Sequence, residues 1–201
     1  MMLPFEFDDN ENALLFNTTI FPLKRKVNAK LFALFEHIKQ QLKDTPEHKQ
    51  FNFPPFTDAD AGKISQGENY LGYPWVMLDF PRRFSNSDTF AWRTLFWYGH
   101  YFSVSLVIAG ESLDRFLPLV LERCEQLKGL PLMVSISDDA WEHALDAGSY
   151  VSLDSLTAEQ LGTQAREKGF IKIACKLEGS DAAHITAQVV DLYTLLLQLL
   201  S

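Results

Sequence analysis

The sequence predicts an α+β fold, with helices packed over a mainly antiparallel sheet in a single domain spanning residues 1–201. Three segments rich in β-branched and aromatic residues, 73–80, 89–98 and 101–109, follow one another with only short turns between them, as antiparallel strands do. Segments in which apolar residues recur at helical spacing flank them on both sides. Because helices and strands do not alternate regularly, a parallel βαβ sheet is not expected.

The composition narrows the range of functions and locations. The net charge of −8 and a pI of about 5.1 disfavour binding to nucleic acid or to anionic membranes. No segment has the roughly 18 apolar residues of a membrane-spanning helix, and the acidic N-terminus does not resemble a signal peptide. We therefore expect a cytoplasmic protein. Cys124 and Cys175 are expected to be buried free thiols, with a disulfide as the alternative.

The elements before the sheet are one helix between two irregular segments. Residues 23–42 have the apolar spacing of an amphipathic helix, which Pro46 ends. Residues 46–72, with adjacent prolines, either form a long loop or contain a secondary-structure element that the pattern does not reveal. Residues 1–17 predict a loose arm that docks through apolar side chains. These are Phe5, Phe7, Leu14, Leu15 and Phe16.

The second and third strand segments form a hairpin around the dipeptide Gly99-His100. Glycine at the first central position of a two-residue turn suits the type II′ geometry, whose twist matches that of the flanking strands. This turn would pair Trp97 with Phe102. The first strand segment, 73–80, is expected to end at Pro81, because proline cannot donate a hydrogen bond to a neighbouring strand.

This register would place Arg93 opposite Leu106, because side chains alternate across a strand. The same face would carry seven apolar residues, namely Ala91, Leu95, Trp97, Phe102, Val104, Leu106 and Ile108. The other face would carry the aromatic stripe Phe90, Trp92, Phe96 and Tyr98. That stripe either forms a groove for a flat ligand or is covered by helices. A shift of one residue would exchange the two faces.

The elements after the hairpin alternate between helices and short strands. Residues 110–128 predict a helix with a kink or a late start at Pro118, and residues 132–137 a short strand. Asp138 or Asp139 would cap a brief helix that carries Trp141 and ends near Gly148.

The last third of the chain has clearer signals. Thr157 and Gln160 form a capping-box pattern that begins a helix ending at Gly169. Residues 170–178 alternate as a half-buried strand with Lys172 facing outward, and residues 181–200 form a helix whose last turns are nearly all apolar. That helix is therefore buried or meets a second chain.

The run KISQGENYLGYPWVMLDFPR resembles a stretch of uncharacterised bacterial proteins that have no assigned activity. The resemblance covers about a tenth of the chain. It implies no chemistry, but it suggests that the loop before residue 73 and the first strand form one unit.

No catalytic or cofactor motif is present. The sequence lacks GxGxxG, a Walker A loop, HExxH and GxSxG, and its histidines have no metal-binding spacing. No metal or cofactor is therefore expected, and whether the chain is an enzyme stays open.

Arg93 is the strongest candidate for a functional residue, because a guanidinium on an apolar face needs a carboxylate partner. Asp79 is the nearest candidate partner and Glu68 the alternative. A structural ion pair or an exposed arginine at the sheet rim would also explain it. The functional alternative is a pocket for a small anionic molecule, because the arginine fork suits carboxylate or phosphate groups. The residues of that pocket would be Arg93, Arg82, Asp79, Glu68, Lys63 and His100.

Three hypotheses of function follow from these observations. The first is a non-enzymatic module that binds a small anionic or aromatic ligand, or a protein, at the sheet. The second is an enzyme of unfamiliar type that uses Asp79 or Glu68 as an acid or base. The third is a structural protein that forms a homodimer through its C-terminal helix.

Overall fold

The computed structural model of the protein describes residues 5–146 and 148–201. The α-helices in these residues are α1 (Asp9–Leu15), α2 (Ile20–Asp44), α3 (Pro46–Gln50), α4 (Glu111–Arg123), α5 (Ala158–Lys168) and α6 (Ala182–Leu199). The strands are β1 (Lys63–Tyr70), β2 (Tyr73–Phe84), β3 (Asp88–Trp97), β4 (Phe102–Gly110), β5 (Leu132–Ser135), β6 (Tyr150–Ser152) and β7 (Phe170–Lys176). Short 3-10 turns occur at Cys124–Leu127 and Leu153–Ser155.

The seven strands form one antiparallel sheet in the order β1-β2-β3-β4-β7-β5-β6. Helices pack on the sheet, so the predicted α+β class is confirmed. Among the described helices, none is long and apolar enough to cross a membrane. Cys124 and Cys175 are buried free thiols, as expected.

The two faces of the sheet are covered differently. The helix-covered face contributes Val76, Trp92, Leu106 and Ile173, among others, to a large core shared with α2, α4, α5 and α6. The second face carries a smaller cluster that includes Met77, Leu95, Trp97 and Tyr101. No helical residue belongs to that cluster. Its cover comes from residues 136–146 together with residues 148 and 149, which we call the covering segment and which supply Ala144 and Leu145.

The predicted register of the β3–β4 hairpin is wrong by one residue. Phe96, not Trp97, pairs with Phe102, and Arg93 pairs with Ser105 instead of Leu106. The reason is the turn, in which the Trp97 carbonyl accepts a hydrogen bond from the His100 N–H. Gly99, at φ 75°, is therefore the third residue of the turn and not the second.

The shift changes the surroundings of Arg93. The face of β4 that it meets carries Ser103, Ser105 and Val107, so this face is much more polar than predicted. The aromatic stripe that includes Phe90 and Trp92 lies on the helix-covered face, opposite Ile108 and Leu106. Of the two alternatives for that stripe, burial under helices is confirmed.

Three other segments differ from the expectations. Residues 46–72 contain α3 and β1, and β1 forms a hairpin with β2, so the loop and the first strand do form a unit. Strand β2 does not end at Pro81, because a bulge between Asp79 and Arg82 absorbs one extra residue there. The brief helix predicted around Trp141 is absent from the described residues, where turns occupy the covering segment.

The two ends of the chain also differ from the predictions. The N-terminal arm contains the short helix α1, and its five apolar side chains are exposed, not docked. Helix α6 buries Leu196, Leu197 and Leu199 within the chain. The apolar turns that suggested a dimer contact are therefore accounted for without a second subunit.

Candidate functional site

The pairing of β2 with β3 brings Arg93 directly opposite Asp79. Arg93 Nε lies 2.7 Å from Asp79 Oδ1, and Nη2 lies 3.0 Å from Oδ2, so the two side chains form a bidentate ion pair. Both residues are buried. Asp79 is thus confirmed as the partner of Arg93, whereas Glu68 forms an ion pair with Lys24.

The covering segment closes over this ion pair. The Arg93 guanidinium carbon lies 5.3 Å from the ring centre of Trp141, a cation–π contact. Arg93 Nη1 also lies 3.1 Å from His143 Nε2. The covering segment therefore contacts the guanidinium over its plane, through Trp141, and at Nη1, through His143.

His143 lies between two basic side chains, and its partners determine where its proton is. Arginine can only donate, so His143 Nε2 must accept the hydrogen bond from Arg93. A neutral imidazole then carries its proton on Nδ1, which lies 3.3 Å from Lys172 Nζ. Burial, together with the charges of Lys172 and Arg93, lowers the pKa of His143 to about 2, so the ring is neutral at physiological pH.

Lys172 projects from β7 into the same cluster and is only 1% exposed. Its Nζ contacts the carbonyl oxygens of Ala140, at 3.0 Å, and of Glu142, in addition to His143 Nδ1. A neutral amine has two hydrogens for the two carbonyls and one lone pair for the Nδ1–H group of His143. An ammonium has no lone pair, so its third hydrogen would meet that N–H group.

The electrostatics of Lys172 agree with this hydrogen-bond count. Burial, reinforced by the positive charge of Arg93, lowers the pKa of Lys172 to about 7. The sequence pattern missed Lys172, because alternation along β7 places it on the face that a one-sided sheet exposes to water. That face is buried only because the covering segment lies over it.

Tyr70 and Glu142 hold the covering segment from its other side. The Tyr70 hydroxyl donates to Glu142 Oε1 and accepts from the N–H groups of His143 and Ala144, at 2.8 and 3.1 Å. Burial and the hydrogen bond to Glu142 raise the pKa of Tyr70 to about 12. Burial alone would raise the pKa of Glu142, but hydrogen bonds from Tyr70 and Ala144 lower it, so its carboxylate remains charged.

The buried cluster leaves little room for a ligand. The cavity among Arg93, His143, Tyr150 and Lys172 measures about 10 Å³, the space of one water molecule. Arg93 donates to both oxygens of Asp79, and Asp79 is buried, so a substrate in solution cannot reach it as a general base. The solid packing around Asp79 removes the argument for the enzyme hypothesis that used this residue.

An open groove lies at the end of β2 and contains Arg82, one of the predicted site residues. This groove, the arginine groove, has a volume of about 410 Å³. Its lining consists of Phe56, Asp58, Arg82, Arg83, Phe84 and Ser85. The backbone of Asp58 pairs with that of Arg82, which fixes the position of the preceding loop.

The two arginines of the groove keep hydrogen-bond donors unused. Arg82 Nε donates to Asp58 Oδ2 at 3.2 Å, and within the described residues the two terminal nitrogens of Arg82 have no hydrogen-bond partner. Arg83 forms an ion pair with the buried Asp88. Its Nη1 is buried and likewise lacks a hydrogen-bond partner in the described part of the chain. A buried N–H group without an acceptor costs about 1–3 kcal/mol.

Two aromatic rings flank these donors. Phe56 is 95% exposed, its backbone has the positive φ of 65°, and its ring centre lies 5.7 Å from the Arg83 guanidinium carbon. A bulky residue in that conformation is strained. Phe84 contacts Trp141 with ring centres 5.6 Å apart. Trp141 therefore connects the groove to the ion pair of Arg93 and Asp79.

The six predicted site residues do not converge on one pocket. Lys63 is exposed on β1, and Glu68 is bonded to Lys24. His100 stacks on Trp97, with ring centres 3.5 Å apart, towards the opposite end of β3 from Arg82, about 20 Å away along the strand. It lines a separate groove of about 710 Å³ with Tyr101 and Lys176. Lys63 on β1 and Arg93 on β3 are the two cross-strand neighbours of Asp79, but among the six residues the structure describes an ion pair only between Arg93 and Asp79.

The site contains no evident metal-binding group, because the described residues include no cluster of three or more His, Cys, Asp or Glu side chains suited to a metal ion. Fold and site together define the molecule as a single-sheet α+β protein with an arginine-lined groove beside a buried polar cluster. The chain matches no protein-family model, and neither the curated proteins nor the solved structures contain a match to it.

Proposed function

We propose that the protein is a non-enzymatic module that binds a small anionic ligand with an aromatic ring in the arginine groove. The observation that carries this proposal is the set of unused terminal N–H groups of Arg82, beside the charge of Arg83 and the exposed ring of Phe56. A carboxylate or phosphate group would accept hydrogen bonds from Arg82, and the charge of Arg83 would strengthen the attraction.

The shape of the groove supports a small molecule. Its volume of about 410 Å³ lies within the range of about 300–1,000 Å³ that is usual for small-molecule sites. Phe56 and Phe84 offer apolar ring surfaces at the edge of the charged region. Stacking a ligand ring on Phe56 would also cover a large apolar side chain that is otherwise in water.

The chemistry of the lining residues favours binding over catalysis. Burial alone would raise the pKa of Asp58, but hydrogen bonds from the N–H groups of Ala61 and Gly62 and from Arg82 lower it. Asp58 is therefore a weak base at neutral pH. The lining contains no histidine or cysteine. Its groups can hold and neutralise an anion, and none is arranged to transfer a proton.

A thermal-shift and calorimetry series with matched probes tests the proposal. Phenyl phosphate and benzoate supply a ring and an anion, inorganic phosphate supplies the anion alone, and benzyl alcohol supplies the ring alone. We expect phenyl phosphate to raise Tm most, and Arg82→Gln to weaken its binding roughly tenfold or more, because a charge-assisted hydrogen bond is lost. Phe56→Asn, which tolerates positive φ, should weaken phenyl phosphate but not inorganic phosphate.

The control is Lys30→Gln, which likewise removes one positive charge, from an exposed position on α2 that does not line the groove. It should leave the binding of phenyl phosphate unchanged. A panel in which no anion stabilises the protein would refute the proposal. Equal binding by the wild type and Arg82→Gln would place the ligand elsewhere and would refute it as well.

A further inference from the structure

The N-terminal part of the chain presents a large apolar surface. Eight large apolar side chains between residues 5 and 23 are 43% to 81% exposed, and we call them the N-terminal surface. They are Phe5, Phe7, Leu14, Leu15, Phe16, Ile20, Phe21 and Leu23. A concentration of this kind is typical of an interaction site, whereas exposed apolar residues in isolation are not.

Helix α1 contributes no buried residue to the core of the described part of the chain. It has seven residues, none of them buried, and its order rests on a capping box between Asp8 and Glu11. A helix this short is only marginally stable in water, because helix nucleation is costly. Packing its apolar side against another surface would supply the stability that the cap alone does not.

Helix α2 continues the same surface. The helix reaches the sheet at Lys24, which forms an ion pair with Glu68 of β1, and its first buried residue is Leu31. The first turn of α2, before Lys24, carries Ile20, Phe21 and Leu23 next to the apolar end of α1. The apolar corner between the two helices is therefore exposed.

The charges on either side of this corner are complementary to each other. Acidic Asp8, Asp9 and Glu11 precede it, and the exposed basic residues Arg25 and Lys26 follow it. A two-fold axis through the corner would place the acidic turn of each copy against the basic turn of the other. Acidic residues at the front of the surface oppose docking to an anionic membrane.

We propose that the N-terminal surface binds a second copy of this chain in a two-fold dimer. The apolar corners of the two copies pack at the centre, and the acidic and basic turns pair at the rim. This contact leaves the arginine groove and helix α6 outside the interface. The proposal is therefore independent of the proposed ligand.

Sedimentation velocity over a range of protein concentrations tests the dimer. The wild type should sediment as a dimer at the higher concentrations, and Leu15→Asn should weaken the association at least tenfold, because an apolar contact is lost. Leu71→Asn removes a leucine that is equally exposed but lies in the β1–β2 turn. It should leave the dimer unchanged, and circular dichroism should show that both variants fold.

A charge exchange gives a test that a general loss of stability cannot imitate. Arg25→Glu and Asp9→Lys each create repulsion in a two-fold contact, so each variant alone should dimerise about tenfold more weakly than the wild type. A one-to-one mixture restores opposite charges at both contacts and should recover the dimer. A wild type that remains a monomer at all concentrations would overturn the proposal. The proposal would also be overturned if the mixture failed to recover the dimer, or if the monomer bound phosphatidylserine vesicles through Leu15.

Discussion

Four ionisable side chains, Asp79, Arg93, His143 and Lys172, share one buried cluster, and the nearby carboxylate of Glu142 also favours the charged form of Lys172. Burial and the charge of Arg93 outweigh this attraction, so Lys172, with a pKa of about 7, loses its proton above neutral pH, whereas Arg93 retains its charge under all ordinary conditions. Removing one partner from the ion pair would leave a buried charge, at a cost of about 3–5 kcal/mol. The cluster therefore holds strands β2, β3 and β7 and the covering segment in one arrangement.

The neutral state of Lys172 predicts a specific pH dependence of stability. Its pKa falls from an ordinary value of 10.5 to about 7, so between these pH values the unfolded chain binds a proton that the folded protein does not. Stability from this residue should therefore rise with pH across that window, by up to about 1.4 kcal/mol per unit. Lys172→Met should remove this rise in urea unfolding at pH 7 to 10.

The matched control for this measurement is Lys176→Met, on the same strand but half exposed. Its free energy of unfolding should keep the pH dependence of the wild type. If both variants followed the wild-type curve in parallel, Lys172 would be charged in the folded protein. In that case the proton assigned to His143 Nδ1 would be on the wrong nitrogen.

At the scale of the secondary-structure elements, the hairpin shows what local sequence can and cannot determine. The β-branched and aromatic residues of β3 and β4 predicted both strands correctly, and Thr157 and Gln160 correctly predicted the capping box of α5. The register was missed because glycine favours either of two turn positions, and these differ by one residue. Side-chain packing across the sheet decides between them, and packing is not local.

The observed turn makes Gly99 sensitive to substitution. Its φ of 75° is strained for a residue with a side chain, and an added Cβ would also lie 3.3 Å from a ring carbon of Tyr73. Gly99→Ala should destabilise the protein by about 1 kcal/mol in urea unfolding. Gly99→Asn should cost less, because asparagine tolerates positive φ. Equal stability of the alanine variant and the wild type would contradict the observed turn.

At the scale of the whole molecule, the sheet is covered by helices on one face and by an irregular segment on the other. The periodicity of α2, α4 and α6 made the first face predictable. The second face was not predictable, because the covering segment has no repeating pattern. Its position depends on side chains of distant strands, such as Tyr70 and Lys172, which bond to its backbone. Of the predicted site, the pair of Arg93 and Asp79 could be found because neighbouring strands in sequence also pair in space.

This mode of attachment predicts that the covering segment opens independently of the sheet. No strand ladder joins the described residues of the segment to the sheet. Side chains of other elements hold its backbone instead, among them Tyr101, whose hydroxyl accepts a hydrogen bond from the Leu145 N–H at 2.7 Å. Tyr70→Phe removes the acceptor of the His143 N–H, and a lost hydrogen bond at a buried donor costs about 1–3 kcal/mol. Amide hydrogen exchange at His143 should therefore accelerate about tenfold or more, while the amides of β3 and β4 keep their protection.

The control is Tyr73→Phe, which removes a hydroxyl from an exposed ring on the neighbouring strand and should change neither exchange rate. Uniform acceleration across the whole sheet in Tyr70→Phe would mean that the segment and the sheet unfold as one unit.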